Sequence, residues 1–217
     1  MRIDLHTHTI FSDGDLTPSE LVRRAMELGH TAIALTDHVD VTNIEFVVPA
    51  LVKATELSED YITVIPGVEL THVPPSKIDA LAKKAKTLGA KIVVVHGETV
   101  TEPVSPLTNL RSVMSPNVDI LAHPGLITLE EAEFAAKNDI ALEITGRGGH
   151  NITNGHVVNM ARKAGAKMVV NSDAHTVGNL MDEKMATIVA KGAGLTNEEI
   201  KKALNDTPYK MIKHLIR

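Results

Sequence analysis

The 217-residue chain is 43% hydrophobic and has no cysteine, which excludes disulfides, thiolate metal sites and cysteine nucleophiles. A formal charge of -5 opposes broad binding to a phosphate backbone, and 2% aromatic content leaves few stacking platforms for single strands. The 11 histidines are the outlier, since histidine is the commonest side-chain metal ligand and the usual acid or base near neutral pH.

Short β-rich runs alternate with longer helical ones. RIDLH is predicted as the first strand, and LTPSELVRRAMELG as a helix with Thr17 as N-cap, Pro18 at its first position and Gly29 after its end. TAIALTD is the second strand, followed by a loop and helix from about Val41 to Ser58. YITVIPGVEL is the third strand and SKIDALAKKAKTLG the next helix. KIVVVHG is the fourth strand, followed by a long Pro-rich loop, ETVTEPVSPLTNLRSV, that leads into a short helix. VDILAHPG is the fifth strand, and TLEEAEFAAKN a helix with a capping box from Thr128 to Glu131. IALEITGR, the helix NGHVVNMARKAG and the strand KMVVNSDAH come next. Helices are expected at 182–191, 197–205 and 209–217. Seven β-then-α units argue for an α/β fold with a parallel sheet, either open or closed as a barrel. The absence of GxGxxG after the first strand weakens a dinucleotide-binding version.

No linker, low-complexity run or repeat divides the sequence, so one domain over 1–217 is the simplest organisation. The start of the sequence has no apolar h-region, and its apolar runs are strand-sized. A secretory signal and a membrane span are therefore not expected, and a cytoplasmic location is.

Ionisable residues gather at the C-terminal end of every strand. The first ends in His6 and His8, with Asp13 in the following loop. The others end in Asp37 and His38, Glu69, His96, His123, Glu143 with Arg147 just beyond, and Asp173 with His175. In a parallel barrel these ends share one rim, where active sites are built. Any single one has a bland explanation: His96 as a loop histidine, Asp37 as a turn residue. Jointly they would crowd carboxylates and imidazoles without partners, which is costly unless metal ions satisfy them. The donor mix suits Zn²⁺, Mn²⁺ or Fe²⁺, and about nine ligands exceed what one ion takes, so two or three ions are implied. Clustered divalent ions suit phosphoester hydrolysis.

HTHTIFSDG, LTDH, PGVE, VVVHG, ILAHPG, LEITGR and NSDAH, in this order, resemble the motif series of the PHP (polymerase and histidinol phosphatase) family. The resemblance implies a distorted (β/α)7 TIM-like barrel carrying a two- or three-metal centre. It implies His6, His8, Glu69 and Asp173 at one position, Glu69, His96 and His123 at a second, and Asp13, His38 and His175 at a third. Some relatives carry His where Asp13 stands. The expected activity is hydrolysis of a small-molecule phosphomonoester, histidinol phosphate among the candidates, through a metal-bridging hydroxide. Arg147 is then expected to clamp the phosphoryl group, with Asp173 and His175 beside it as catalytic residues. This chain is shorter than bacterial histidinol phosphatases of the family, so the substrate-facing loops are expected to be plainer.

The remaining histidines are assigned to other roles. His150 and His156 are expected on the surface or a helix face, and His72 on the strand face opposite Glu69. His30 falls at the other rim as a structural residue, and His214 in an exposed C-terminal helix. Asn171 either orients a ligand or bonds the strand end. Two other functions compete with the phosphatase. One is a phosphodiesterase or nuclease, against which charge and composition count, so nucleic acid is not the expected partner. The other is a catalytically retired module, which would have lost ligands that this chain keeps.

Overall fold

The computed structural model describes residues 2–215. Strands β1 (Arg2–Asp4), β2 (His30–Leu35), β4 (Thr63–Leu70), β5 (Ile92–His96), β6 (Ile120–Ala122), β7 (Ala141–Thr145) and β8 (Met168–Asn171) follow one another around the sheet in chain order. A two-residue strand, β3 (His38–Val39), pairs with the upper half of β4. Every ladder is parallel, and helices alternate with strands: α1 (Pro18–Glu27), α2 (Ile44–Lys53), α3 (Ile78–Leu88), α4 (Thr108–Val113), α5 (Leu129–Lys137) and α6 (Asn154–Ala164). Helices α7 (Glu183–Gly192), α8 (Asn197–Lys201) and α9 (Thr207–Ile212) follow β8. This is a distorted, nearly closed (β/α)7 TIM-like barrel.

The seam closes between the first and last strands through backbone bonds above β1. Asp173 N donates to His6 O at 3.0 Å and His8 N to Ala174 O at 2.8 Å. Below them Arg2 and Asp4, both buried, form a 2.7 Å ion pair, and Asp4 accepts from Ser172 N. Burial works against the Asp4 carboxylate, but Arg2 and these donors hold its pKa down to about 2.

Strand alternation separates two apolar layers. Ile3, Ala32, Ile65, Val94, Ile120 and Val169 fill the barrel. Leu35, Val68, Val93, Leu121, Leu142 and Val170 face the helices. Ile212 of α9 joins the inner layer. At the N-terminal ends of the strands a cleft is lined by His30, Tyr61, Thr63, Lys91 and Leu215, on the far side from the histidine-rich rim. Among the described residues no helix is long and apolar enough to cross a membrane.

The elements differ from expectation where local chemistry intervenes. The second predicted strand breaks after Leu35: Thr36 N turns to Thr7 O at 2.8 Å, and pairing resumes at His38. The helix predicted over the stretch after Val41 ends at Lys53 and tightens into a 3₁₀ segment over Ala54–Glu59. The two predicted C-terminal helices run together as α8, a π-helical segment over Lys202–Asp206, and α9, whose first turn takes Pro208. Ile216 and Arg217, the end of the last predicted helix, lie outside the described residues.

Candidate metal centre

The inward-facing positions change character along each strand. On β5, Ile92 and Val94 lie inside the barrel beneath His96. Ile65 on β4 lies below Glu69, Ala141 on β7 below Glu143, and Val169 on β8 below Asn171 and Asp173. Apolar filling therefore ends in a polar cup at the C-terminal rim. Alternation alone would turn His123 outward, because Ala122 before it faces in. A left-handed φ of +27° at His123 accompanies its inward turn, and Asp173 has φ +52°. Such conformations cost roughly 1–3 kcal/mol in residues other than glycine and persist where the surroundings impose them.

Glu143 orients the floor of the cup. His6 Nδ1 donates to Glu143 Oε1 at 2.8 Å, Asn171 Nδ2 donates to the same oxygen at 2.8 Å, and His123 N donates to Oε2 at 3.2 Å. With Nδ1 on Glu143, His6 aims Nε2 into the cup, 3.4 Å from Glu69 Oε2 and 3.7 Å from Asp173 Oδ1. His8 Nε2 lies 3.3 Å from Asp173 Oδ1 and 3.6 Å from Glu69 Oε2. His123 Nε2 lies 3.5 Å from Asp173 Oδ2 and 3.6 Å from Glu69 Oε1. Beside this group Asp13 Oδ1 faces His175 Nε2 at 3.2 Å and His38 Nε2 at 3.3 Å. His175 Nδ1 donates to Asp173 O, which turns its Nε2 toward Asp13.

The charges in the cup are strongly coupled. Burial opposes a charged His6, but Glu143, Glu69 and Asp173 overcome it and hold its pKa well above the usual value. Burial, with His38 and His6 as like charges, lowers His8 to about 3. Burial also opposes the Glu69 and Asp173 carboxylates, yet the surrounding imidazoles hold both well below the usual range.

All nine predicted ligands fall into groups whose donor atoms lie within 4.8 Å of one another: His8, Asp13, His38 and His175; His6, His8 and Glu69; His6, His123 and Asp173; His96, His123 and His150. The expected grouping of Glu69 with His96 is not among them; the carboxylate against His96 is Glu102, at 3.3 Å. Arg147 is half-buried, and its Nη1 sits 3.4 Å from Asn179 Oδ1. That same oxygen accepts from His175 N, so Arg147 is tied to the loop carrying His175.

Other residues settle differently from expectation. Asp37 accepts from Thr9 N, Thr9 Oγ1 and Ser12 Oγ and so shapes the loop that carries Asp13. Asn171 takes both of its expected roles, accepting from Leu5 N and donating to Glu143. His30 is buried with Nδ1 donating to Ala25 O, His156 bonds Ile127 O, and His214 is exposed just past the end of α9. His150 is not a surface residue: it is 7% exposed and packs against the His123 and His96 rings. His72 is not turned away either, because φ +52° swings it back toward His96 and Glu102. Sequence reasoning gave no role to Glu102, and its offset within an irregular loop carries no periodic signal. The position of Glu143 was legible from strand alternation, although its partner was not.

A family model described as PHP domain matches residues 4–171. The chain belongs to the PHP domain family. Among PHP-related sequences, it is 53% identical to an uncharacterized protein of Methanocaldococcus jannaschii, over 99% of this chain and 100% of that one. It is 28% identical to Ribonuclease P protein component 3 of Methanosarcina barkeri, over 96% and 87% of the two chains. A protein named probable phosphatase in Shewanella frigidimarina is 27% identical over 98% and 92%. The PHP barrel also superposes on a chain in a cryo-EM structure of archaeal Ribonuclease P with mature tRNA, with TM-score 0.72 and 17% identity, covering 99% of this chain and 91% of that one.

The PHP cup fits divalent ions on its own geometry. His6 Nε2, both ring nitrogens of His8, His123 Nδ1, Glu69 Oε1 and Asp173 Oδ1 are buried without a hydrogen-bond partner. Orphaned buried acceptors and carboxylates at this density are costly, and metal ions relieve them. The imidazole and carboxylate donors are those that zinc, manganese and iron take.

Proposed function

We propose that this PHP protein is a metal-dependent phosphoesterase that hydrolyses a small-molecule phosphomonoester. The observation that carries the reading is the set of orphaned imidazole nitrogens and carboxylate oxygens in one buried cup. Among residues 5–17, 36–43, 71–77, 97–107, 123–128, 146–153 and 172–182, which form the loops above the strands, the only Lys or Arg residues are Arg147 and Lys77, and Lys77 is exposed immediately before α3.

Two or three zinc, manganese or iron ions would be held by His6, His8, Glu69 and Asp173, by His96 and His123, and by Asp13, His38 and His175. When bound, such ions supply an ionised water and Lewis acidity toward phosphoryl oxygens. Arg147 offers a fork of donors for the remaining phosphoryl oxygens, positioned through Asn179. Asp173 and His175 line the reacting position through Asp173 Oδ1 and His175 Nε2. Glu143 keeps the His6 proton on Nδ1, away from the cup. A single domain over 1–217 and a cytoplasmic setting belong to the same proposal.

The rim favours a small ester. Ile10, Val41, Leu107, Leu126, Ile152 and Val177 are exposed in the loops around the cup. This apolar collar, poor in cations, suits an alcohol portion with apolar surface better than a polyanionic strand. A second reading, cleavage or binding of nucleic acid, draws on the relative named Ribonuclease P protein component 3 and reopens a partner that composition disfavoured.

The test is phosphate release from L-histidinol phosphate, nucleotides and sugar phosphates, with Mn²⁺ and an EDTA control, beside single-stranded oligonucleotides. EDTA-sensitive monoester turnover, with Arg147→Ala losing kcat/KM while keeping its metal, is expected. Turnover confined to oligonucleotides overturns the phosphomonoester reading in favour of the second.

A further inference from the structure

Loop 97–107 brings a carboxylate to the cup that none of the motifs contains. Glu102 faces three imidazoles at once: its Oε2 lies 3.0 Å from His72 Nε2 and 3.3 Å from His96 Nε2, and its Oε1 lies 3.3 Å from His150 Nε2. Nitrogen and oxygen ligands about 2.0–2.2 Å from a shared ion stand roughly 3 Å apart, as these do. His96 Nδ1 donates to Gly97 O at 3.2 Å. With Nδ1 engaged there, His96 aims Nε2 at the Glu102 carboxylate, at a spacing two ligands of one cation would have.

Two further observations point to the same place. His150 is buried, and its Nδ1 has no hydrogen-bond partner. His72 holds φ +52°, a conformation that costs energy in a residue other than glycine, and in it the ring meets Glu102. Among the described residues no carboxylate other than Glu102 comes within 4.0 Å of the His96 ring nitrogens.

We propose that Glu102 and His72 complete, from the solvent side, the divalent-cation position that His96 and His123 begin, so that the metal centre extends outward from the cup under loop 97–107. The site takes an ion of borderline softness such as Zn²⁺ or Mn²⁺, because imidazoles dominate its donors. Glu102 is half-buried, so its ion sits at the solvent side of the centre and depends on the loop for closure. His150, on the second carboxylate oxygen, fixes the direction of the Glu102 head group.

This inference rests on the reading of the cup as a metal centre, and the experiment separates the two. Wild type, Glu102→Gln and His72→Gln are loaded with Zn²⁺ or Mn²⁺, desalted and analysed for metal per chain by mass spectrometry, with affinities from isothermal titration. Both substitutions fall on the outer edge of the cup, and circular dichroism checks that the fold is kept. Glu102→Gln is expected to lose one equivalent, or to weaken one binding step at least tenfold, with His72→Gln affecting the same step. Wild-type stoichiometry and affinities in both variants overturn the outer position and leave the inner centre standing. A wild type that holds no metal overturns both.

Discussion

At the residue scale, the cup depends on which ring nitrogen each histidine presents. Glu143 decides this for His6 and, through the His123 backbone N–H, holds the turn that brings His123 inward. The Glu143→Gln amide sets an N–H₂ group against one of these donors and removes the charge that steadies His6. Metal affinity is expected to fall about 10–100-fold, as for other outer partners of metal-bound histidines. A buried donor left without an acceptor is expected to cost about 1–3 kcal/mol in urea unfolding. Metal titration together with unfolding checks this; unchanged values in both would show that Glu143 merely fills space. At this scale the sequence was legible where side chains follow strand period. Glu69, His96 and Glu143 sit where alternation puts them. His72 and His150 were misread because backbone turns, not period, aim them at the cup.

At the element scale, the loop after β1 is built by close approach. Gly14 N donates to Thr9 O at 3.0 Å, and a Cβ at Gly14 would stand 2.4 Å from His8 O. The neighbour is backbone and cannot give way. The substitution Gly14→Ala is therefore expected to push the loop outward and carry Asp13 from His38 and His175. Overpacking of this kind costs about 1–3 kcal/mol. The metal count should drop by the ion at Asp13, while a full count with normal stability would mean that the loop relocates without consequence. Strands and helices were legible here because their periods and caps are local: Thr17, Thr128 and Asp182 all cap their helices by side-chain hydrogen bonds. The break between β2 and β3 was not, since it answers to Thr7 in the segment after β1. The π-helical join before α9 likewise lies outside any local pattern.

At the scale of the whole molecule, the cup stores unfavourable electrostatics that ligand binding releases. Buried carboxylates and imidazoles drawn from six strands meet there, so an ion that binds the folded state and not the unfolded chain stabilises the fold. At a concentration of 100 Kd one such site contributes about 2.7 kcal/mol. For a domain of this size that corresponds to about 5–10 °C in Tm. Differential scanning calorimetry with Mn²⁺ or Zn²⁺ is expected to show that rise, reversed by EDTA; a Tm indifferent to both would contradict the metal centre.

The barrel seam closes at the residues that form the cup. His6 and His8 meet Asp173 and Ala174 through the backbone, so the bonds that close the barrel join the same segments that carry ligands of the cup, while β1 has β2 as its other neighbour. Until Asp173 and Ala174 dock, His6, His8, Asp13, His38, Glu69, His96 and His123 belong to an open sheet that lacks Asp173, His175 and the bonds that close the seam. Closure of the barrel and completion of the candidate centre are therefore one cooperative event, and a sheet that has not closed lacks the Asp173 and His175 side of the cup.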